Sequence, residues 1–410
     1  MAMSSSAISR ASALRDLVYL DLSPDDIAIR DLAREIVDKE IAPIARRIDE
    51  DEEFPRTALH TLGSTGLIGL LVPEQYGGSG GTMLQYCLVL EEIASACGAT
   101  AATYMTQVHG MLPLLQVGSE TQKERWLPAS ALGDRVMSIA LTEPSAGSDL
   151  ASIRTRAKRV DGGYLINGSK IFITNGNESD IMSVFVRTSD ERHKGMTILL
   201  VESSAPGLSF GKPLEKMGIR GSDTAEIFFS NVFVPDEQRI GQEGEGFKVV
   251  MGALGDARIS TAAQACGLGR GAWARAYEYA LRREQFGQRI FEFQAIQLRL
   301  MTMLSKVTSA QVLLYQVARM IDQGTRPEYS IESAMAKSYC SDLAMEVTTG
   351  CVDVLGGYGY TREYEVERFM RDAKVTQIYD GTNDVNRLVM ARQLERRRLA
   401  GTETPSSSTA

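Results

Sequence analysis

Residues 351–392 read CVDVLGGYGYTREYEVERFMRDAKVTQIYDGTNDVNRLVMAR. Gly356, Gly357 and Gly359 interrupt an otherwise helical pattern, and glycines so close together let a backbone approach a flat or phosphorylated group. A polar helix follows. Glu363, Glu365 and Glu367 precede Arg368, Arg371, Asp372 and Lys374, which predicts a helix with its charges on exposed turns. Ile378-Tyr379-Asp380-Gly381-Thr382 then breaks it, leaving Asp380 as a carboxylate at a helix break, where a general base can face a ligand.

Upstream, the chain begins a helix at Ser23-Pro24-Asp25-Asp26, with a capping serine, a proline in the first turn and acids against the positive end of the dipole. Ile29, Leu32, Ile36, Ile41, Ile44 and Ile48 carry the helical period towards Phe54-Pro55. Further helices are predicted over 56–65, 81–97 and 101–118, and Ser119-Glu120-Thr121-Gln122 is a capping box for one more. The period changes near Val136. Asn167-Gly168 is a hairpin signal between the strand formers 164–166 and 170–174, and strands follow over 181–187, 196–202 and 225–234. After Pro235 and the glycine-rich 241–246 the helical period returns over 252–283, 291–323, 330–354 and from Thr382 onward, which predicts an antiparallel four-helix packing. The fold class is therefore α+β: an N-terminal α-helical domain over 1–135, a middle β-barrel or sandwich over 136–240, and a C-terminal four-helix bundle over 241–410 that ends in a disordered tail.

Composition narrows the function. A chain of 410 residues with 44% hydrophobic content builds a large core, and a net charge of −8 argues against a nucleic-acid partner. The five cysteines are scattered without CxxC pairs, so neither a disulfide framework nor a zinc site is indicated, and reduced thiols in the cytoplasm are expected. His60, His109 and His193 lie far apart in the sequence, against a histidine-based metal or hydrolase site. The first residues form a stretch too short for a membrane span and lack a signal-peptide core, so they read as a frayed tail with no stable membrane insertion.

Residues 351–392 resemble the C-terminal signature of the acyl-CoA dehydrogenase family, in which a GGxG turn, an ERxxRDA helix and a YEGTN segment follow in this order. The resemblance spans about Asp21 to Arg396 and includes Ala140-Leu141-Thr142-Glu143-Pro144-Ser145-Ala146-Gly147-Ser148-Asp149 and Arg283-Glu284-Gln285-Phe286-Gly287. It implies FAD as cofactor. Leu141, Thr142, Gly147 and Ser148 would meet the flavin edge and pyrophosphate, Phe172 would stack on the ring, and Thr174 would point its hydroxyl at N5. Arg283, Phe286 and Gln294 would reach the flavin of a neighbouring subunit in a homotetramer, a dimer of dimers, with Gly356, Gly357, Thr382 and Asp384 completing that site. Asp353 stands where the family usually has glutamine, so a ribose hydroxyl or an arginine is its expected partner.

The same resemblance makes Asp380 the base, where most relatives have glutamate, and the family's alternative base position is here Ala257, before Arg258. Ser95 to Met111 would line the floor of an acyl pocket. Met105, His109, Ser148, Arg258, Tyr379 and Gly381 would contact the thioester, and a histidine satisfied within the core is the plainer reading of His109. The implied reaction is α,β-dehydrogenation of an acyl-CoA, with electron-transfer flavoprotein as acceptor. Three alternatives remain open: a same-fold oxidase or monooxygenase, a dehydrogenase of acyl-carrier-protein thioesters in a biosynthetic pathway, and a non-catalytic flavin-binding member.

Overall fold

Ser23 caps helix α1 (Pro24–Ile36) in the computed structural model, which describes residues 21–325 and 328–402. The Asp26 amide donates to the Ser23 hydroxyl at 3.2 Å and the Ser23 amide donates to the Asp26 carboxylate at 3.1 Å, so two otherwise unpaired donors are satisfied. The apolar run to Ile48 is not one helix. Pro43 offers no amide, and the chain passes through a π-turn (Val37–Ile41) and a 3₁₀ turn (Ala42–Ile44) before α2 (Ala45–Glu50). Then come α3 (Arg56–Ser64), α4 (Met83–Ala94), α5 (Gly98–Val117) and α6 (Glu120–Ala131), the last capped by Ser119 and Gln122 as read. Helix α5 is buried from Gly98 to Leu114, so it forms the centre of the helical layer instead of a surface.

Eight strands follow: β1 (Met137–Ala140), β2 (Arg156–Val160), β3 (Gly163–Thr174), β4 (Ile181–Arg187), β5 (Met196–Glu202), β6 (Leu208–Phe210), β7 (Thr224–Pro235) and β8 (Arg239–Ile240). Their order is β6-β7-β3-β2-β4-β5-β8, with β1 parallel to β4. Leu208 and Phe210 on β6 pack against an apolar core that also takes Leu199 and Val201 from β5, and β5 contacts β7 although the two are not neighbours in this order, so the sheet curls on itself. Asn167-Gly168 is not a hairpin. The turn lies at Asp161-Gly162, and 167–168 form an irregularity inside one long β3, where Gly168 has φ +142 and an added Cβ would lie 2.7 Å from Thr155. Asn167 instead bonds across to Asn231 at 3.0 Å.

The C-terminal segment contains α7 (Gly246–Arg282), a short hairpin of β9 (Glu284–Gln285) and β10 (Gln288–Arg289), α8 (Gln294–Asp322), α9 (Ser330–Leu355), α10 (Val366–Thr376) and α11 (Asn383–Thr402). Residues 401–402, expected to be disordered, are helical; the rest of that tail and the N-terminal tail lie outside the described residues. Helix α10 also departs from its reading, because Arg368 and Asp372 are buried. Arg368 donates to the Ala96 carbonyl at 3.1 Å and to the Ala45 carbonyl at 3.5 Å, and the Ile219 amide donates to Asp372 at 2.5 Å. Charge spacing alone could not show that these groups meet backbone from both preceding segments.

Candidate active site

Tyr379, Asp380 and Gly381 are each held by a different side chain of the helical core. The Tyr379 hydroxyl bonds the Gln264 side chain on α7, Thr261 on α7 donates to Asp380 Oδ2 at 2.7 Å, and Lys337 on α9 donates to the Gly381 carbonyl at 2.8 Å. Asp380 has φ +52, a left-handed conformation that a non-glycine residue keeps only where its surroundings fix it. Gly381 at φ +86 and the Thr382 hydroxyl, which accepts the Val385 amide at 3.3 Å, then start α11. Burial pushes the Lys337 ammonium down to about 8, against the nearby charges of Asp380 and Asp342, which push it up.

Arg258, one turn before Thr261, is 3% exposed and forms no hydrogen bond or ion pair among the described residues; its Nε is buried without a partner. Burial lowers its pKa while Asp380 opposes that shift, so an unpaired guanidinium and a carboxylate share one enclosed region.

His109 is buried, with one ring nitrogen bonded inside the core. Ser260 donates to the Asp256 carbonyl at 3.0 Å and accepts from Tyr86 at 3.1 Å; with its one proton so used, His109 Nε2, 3.1 Å away, must be the donor to it. Burial pushes His109 below its usual pKa, so it is neutral at pH 7. Met105 is buried on the same helix.

Asp256, next to Ala257, is a carboxylate that the motif reading passed over. Burial pushes it up to about 6, and Tyr329 donates a hydrogen bond to it. Its folded pKa lies above the unfolded one, so the folded state holds the extra proton and stability falls as pH rises from about 4 to about 6. Asp256→Asn is therefore expected to raise the unfolding free energy measured in urea more at pH 8 than at pH 4, by about 1–3 kcal/mol, and with it the midpoint. Equal midpoints at pH 8 would refute it.

The loop after β1 is held from below. Lys170, fully buried on β3, donates to the Leu141 carbonyl at 3.0 Å and to Glu143 at 2.8 Å, and Glu143 also accepts the Thr155 amide at 2.9 Å. Thr142 accepts the Ile171 amide at 3.0 Å, which joins this loop to the strand carrying Phe172 and Thr174. Phe172 has φ +59 and 62% of its surface exposed, an apolar ring turned outward by a local break in the β3–β7 register. Gly147 and Ser148 are exposed at the loop's end.

A cleft of about 450 Å³ lies elsewhere, lined by Tyr279, Arg283, Asp353, Gly356, Gly357 and Tyr358 among others. Arg283 has no ion pair among the described residues and lies over the Tyr358 ring at 5.4 Å. Gly356 has φ +60 and ψ −133, and among the described residues no group beyond the adjoining backbone lies within 4 Å of where a Cβ would sit on Gly356 or Gly357. Asp353 faces Arg299 at 3.6 Å. Phe286 is 95% exposed on the β9–β10 turn, and Gln294 is exposed at the start of α8, both outside this cleft. Thr382 and Asp384 are also outside it, and Asp384 pairs with Arg387 at 3.0 Å. Thr261, Gln264, Lys337 and the Lys170–Glu143 pair were not singled out from sequence.

Three family models match in order: the acyl-CoA dehydrogenase N-terminal domain over residues 23–134, its middle domain over 138–232 and its C-terminal domain over 244–395. A cyclohex-1-ene-1-carbonyl-CoA dehydrogenase of Syntrophus aciditrophicus is 41% identical over 91% of this chain and 91% of its own length. Butyryl-CoA dehydrogenase from Megasphaera elsdenii superposes with a TM-score of 0.89 at 39% identity, over 92% of this chain and all of that one. A chain from a structure described as the electron transferring flavoprotein of Acidaminococcus fermentans gives 0.90 at 42% identity, again over 92% and 100%. Enzymes of this family are FAD-dependent oxidoreductases that dehydrogenate acyl-CoA thioesters. Matched in all three segments and across nine-tenths of its length, the chain belongs to the acyl-CoA dehydrogenase family.

Proposed function

We propose that this protein is an FAD-dependent acyl-CoA dehydrogenase in which Asp380 removes the α-proton. The observation that carries the reading is the state of the Asp380 carboxylate: Oδ2 is held by Thr261, and among the described residues Oδ1 has no hydrogen bond and the buried guanidinium of Arg258, whose charge acts on Asp380, has no partner. The Asp380 amide donates to no group of the chain among the described residues, so it is available to the thioester carbonyl oxygen and would raise the acidity of the α-carbon. FAD, when bound, accepts the hydride from the β-carbon.

The residues fit that cofactor. An exposed Phe172 ring, an unpaired Arg283 and the open backbone of Gly356 and Gly357 suit a ring, a diphosphate and an adenosine. Leu141, Thr142, Gly147, Ser148 and Thr174 would take the flavin edge. The extreme exposure of Phe286 suits a residue covered by another subunit, so Phe286 and Gln294, with Thr382 and Asp384, are assigned to a neighbour's cofactor in a homotetramer. Electron-transfer flavoprotein is the proposed acceptor. The cytoplasm is the proposed compartment, on five free and buried thiols.

Aspartate reaches one methylene less than glutamate, which leaves room beside the α-carbon. Together with the relative named for a cyclohexene carbonyl thioester, this favours a ring acyl group. Cyclohexane-1-carbonyl-CoA is expected to bleach the flavin anaerobically at least about tenfold faster than butyryl-CoA, the discrimination a hydrophobic pocket gives. Hydrogen peroxide formed in air at the same rate would favour an oxidase. A flavoprotein reduced by no thioester would overturn the reading.

Arg283→Ala is expected to weaken FAD retention by about ten- to hundredfold, since it removes charged hydrogen bonds to a diphosphate. Gel filtration followed by absorbance of the protein peak measures it. Full retention in the variant would remove Arg283 from the cofactor site.

A further inference from the structure

Thr261 is fully buried, and its hydroxyl lies 2.7 Å from Asp380 Oδ2 and 3.1 Å from the Ala257 carbonyl. It has one proton to give. The charged and nearer acceptor takes it, since hydrogen bonds to carboxylates are shorter and stronger than those to neutral carbonyls. Three positions further along the same face of α7, Gln264 holds Tyr379, so neighbouring residues of the base turn rest on successive rungs of one helix.

What this contact prevents is equally specific. Arg258 on the same helix has a buried, unpartnered Nε, and a guanidinium left without hydrogen bonds in an enclosed region strongly attracts any carboxylate free to reach it. Asp380 turns about only two side-chain torsions. Tied at Oδ2, the carboxylate is restrained on the Thr261 side; untied, it would be free to turn towards the guanidinium whose charge already acts on it, and an ion pair there would occupy the oxygen needed for the proton.

We infer that Thr261 is a positioning residue for the base: its hydroxyl holds one oxygen of a short acid so that the other stays free for the substrate. The inference rests on the reading of Asp380 as base. It explains how a side chain lacking a methylene keeps a defined aim, because orientation is set by a contact from α7 and not by reach.

The test uses the whole holoenzyme and anaerobic flavin reduction by the best thioester of the panel, with α-protiated and α-deuterated forms. Thr261→Val keeps the shape and removes the hydroxyl. It is expected to bind FAD and thioester as the wild type does, to reduce flavin about ten- to hundredfold more slowly, and to show a larger α-deuterium isotope effect as proton removal becomes more limiting. Thr261→Ser is expected to restore most of the rate. Wild-type rate and isotope effect in Thr261→Val would overturn the inference while leaving Asp380 as base. A loss that serine does not rescue, or one accompanied by loss of flavin, would also overturn it, because the hydroxyl would then be structural. Failure of the base assignment itself is read separately, in the Asp380 variants.

Discussion

Asp380→Asn is expected to keep flavin and thioester binding and to lose anaerobic flavin reduction by about 10²–10⁴-fold, the cost of removing a general base. Asparagine keeps the size of the side chain and can still accept the Thr261 hydrogen bond, so the turn between α10 and α11 should hold its shape. What disappears is the basic oxygen. Asp380→Glu should separate reach from basicity. The added methylene crowds the α-carbon and displaces the carboxylate from Thr261, so turnover of ring thioesters should fall at least about tenfold while straight-chain thioesters suffer less. Stopped-flow absorbance of the bound flavin measures all three proteins. Reduction at the wild-type rate in Asp380→Asn would require a base elsewhere, and Asp256 would be the next carboxylate to test.

Lys170→Met is expected to cost about 3–5 kcal/mol, because it leaves Glu143 as a buried carboxylate without its ammonium partner. Burial pushes Lys170 down to about 8, opposed by Glu143, which shows how much the ammonium depends on that partner. The Leu141 carbonyl loses a donor as well, and with it the loop carrying Thr142, Gly147 and Ser148 loses its support from β3. Urea unfolding followed by circular dichroism should show the lower midpoint, and the variant should release flavin more readily. Lys170→Met combined with Glu143→Leu should recover part of the loss, since two apolar groups leave no orphaned charge. An unchanged midpoint in the single variant would show that water reaches Glu143.

Much of this site could be read from sequence because its residues lie in short contiguous motifs. Asp380 follows an aromatic and precedes a glycine, and the break it marks is present with a positive φ at both Asp380 and Gly381. Gly356 and Gly357 were singled out as letting the backbone approach a flat or phosphorylated group, and among the described residues no neighbouring group lies within 4 Å of where a Cβ would sit on either. The supports were not legible for the opposite reason. Thr261 meets Asp380 across 119 positions, and Lys337 meets Gly381 across 44. No local spacing distinguishes Thr261 from the other small residues of α7, and a lysine in a long helix ordinarily reads as a solvated one. Asn167-Gly168 misled for a related reason: the dipeptide allows a turn or a bulge, and pairing with β7 selected the bulge.

Helix α10 ends four residues before Asp380, and its side chains fasten every part of the chain. Arg368 reaches the carbonyls of Ala45 and Ala96, Arg371 bonds Asp49 at 2.7 Å and the Met217 carbonyl at 3.2 Å, and Asp372 holds the Ile219 amide. Three sequence segments that look separable thus share one keystone, and opening any of them strands a buried charge on the other two. Limited proteolysis should yield no surviving middle fragment, and heat or urea should melt the protein in a single transition. A lesion at Arg368 would reach the base as a lower population of intact enzyme, with each surviving molecule turning over at the normal rate.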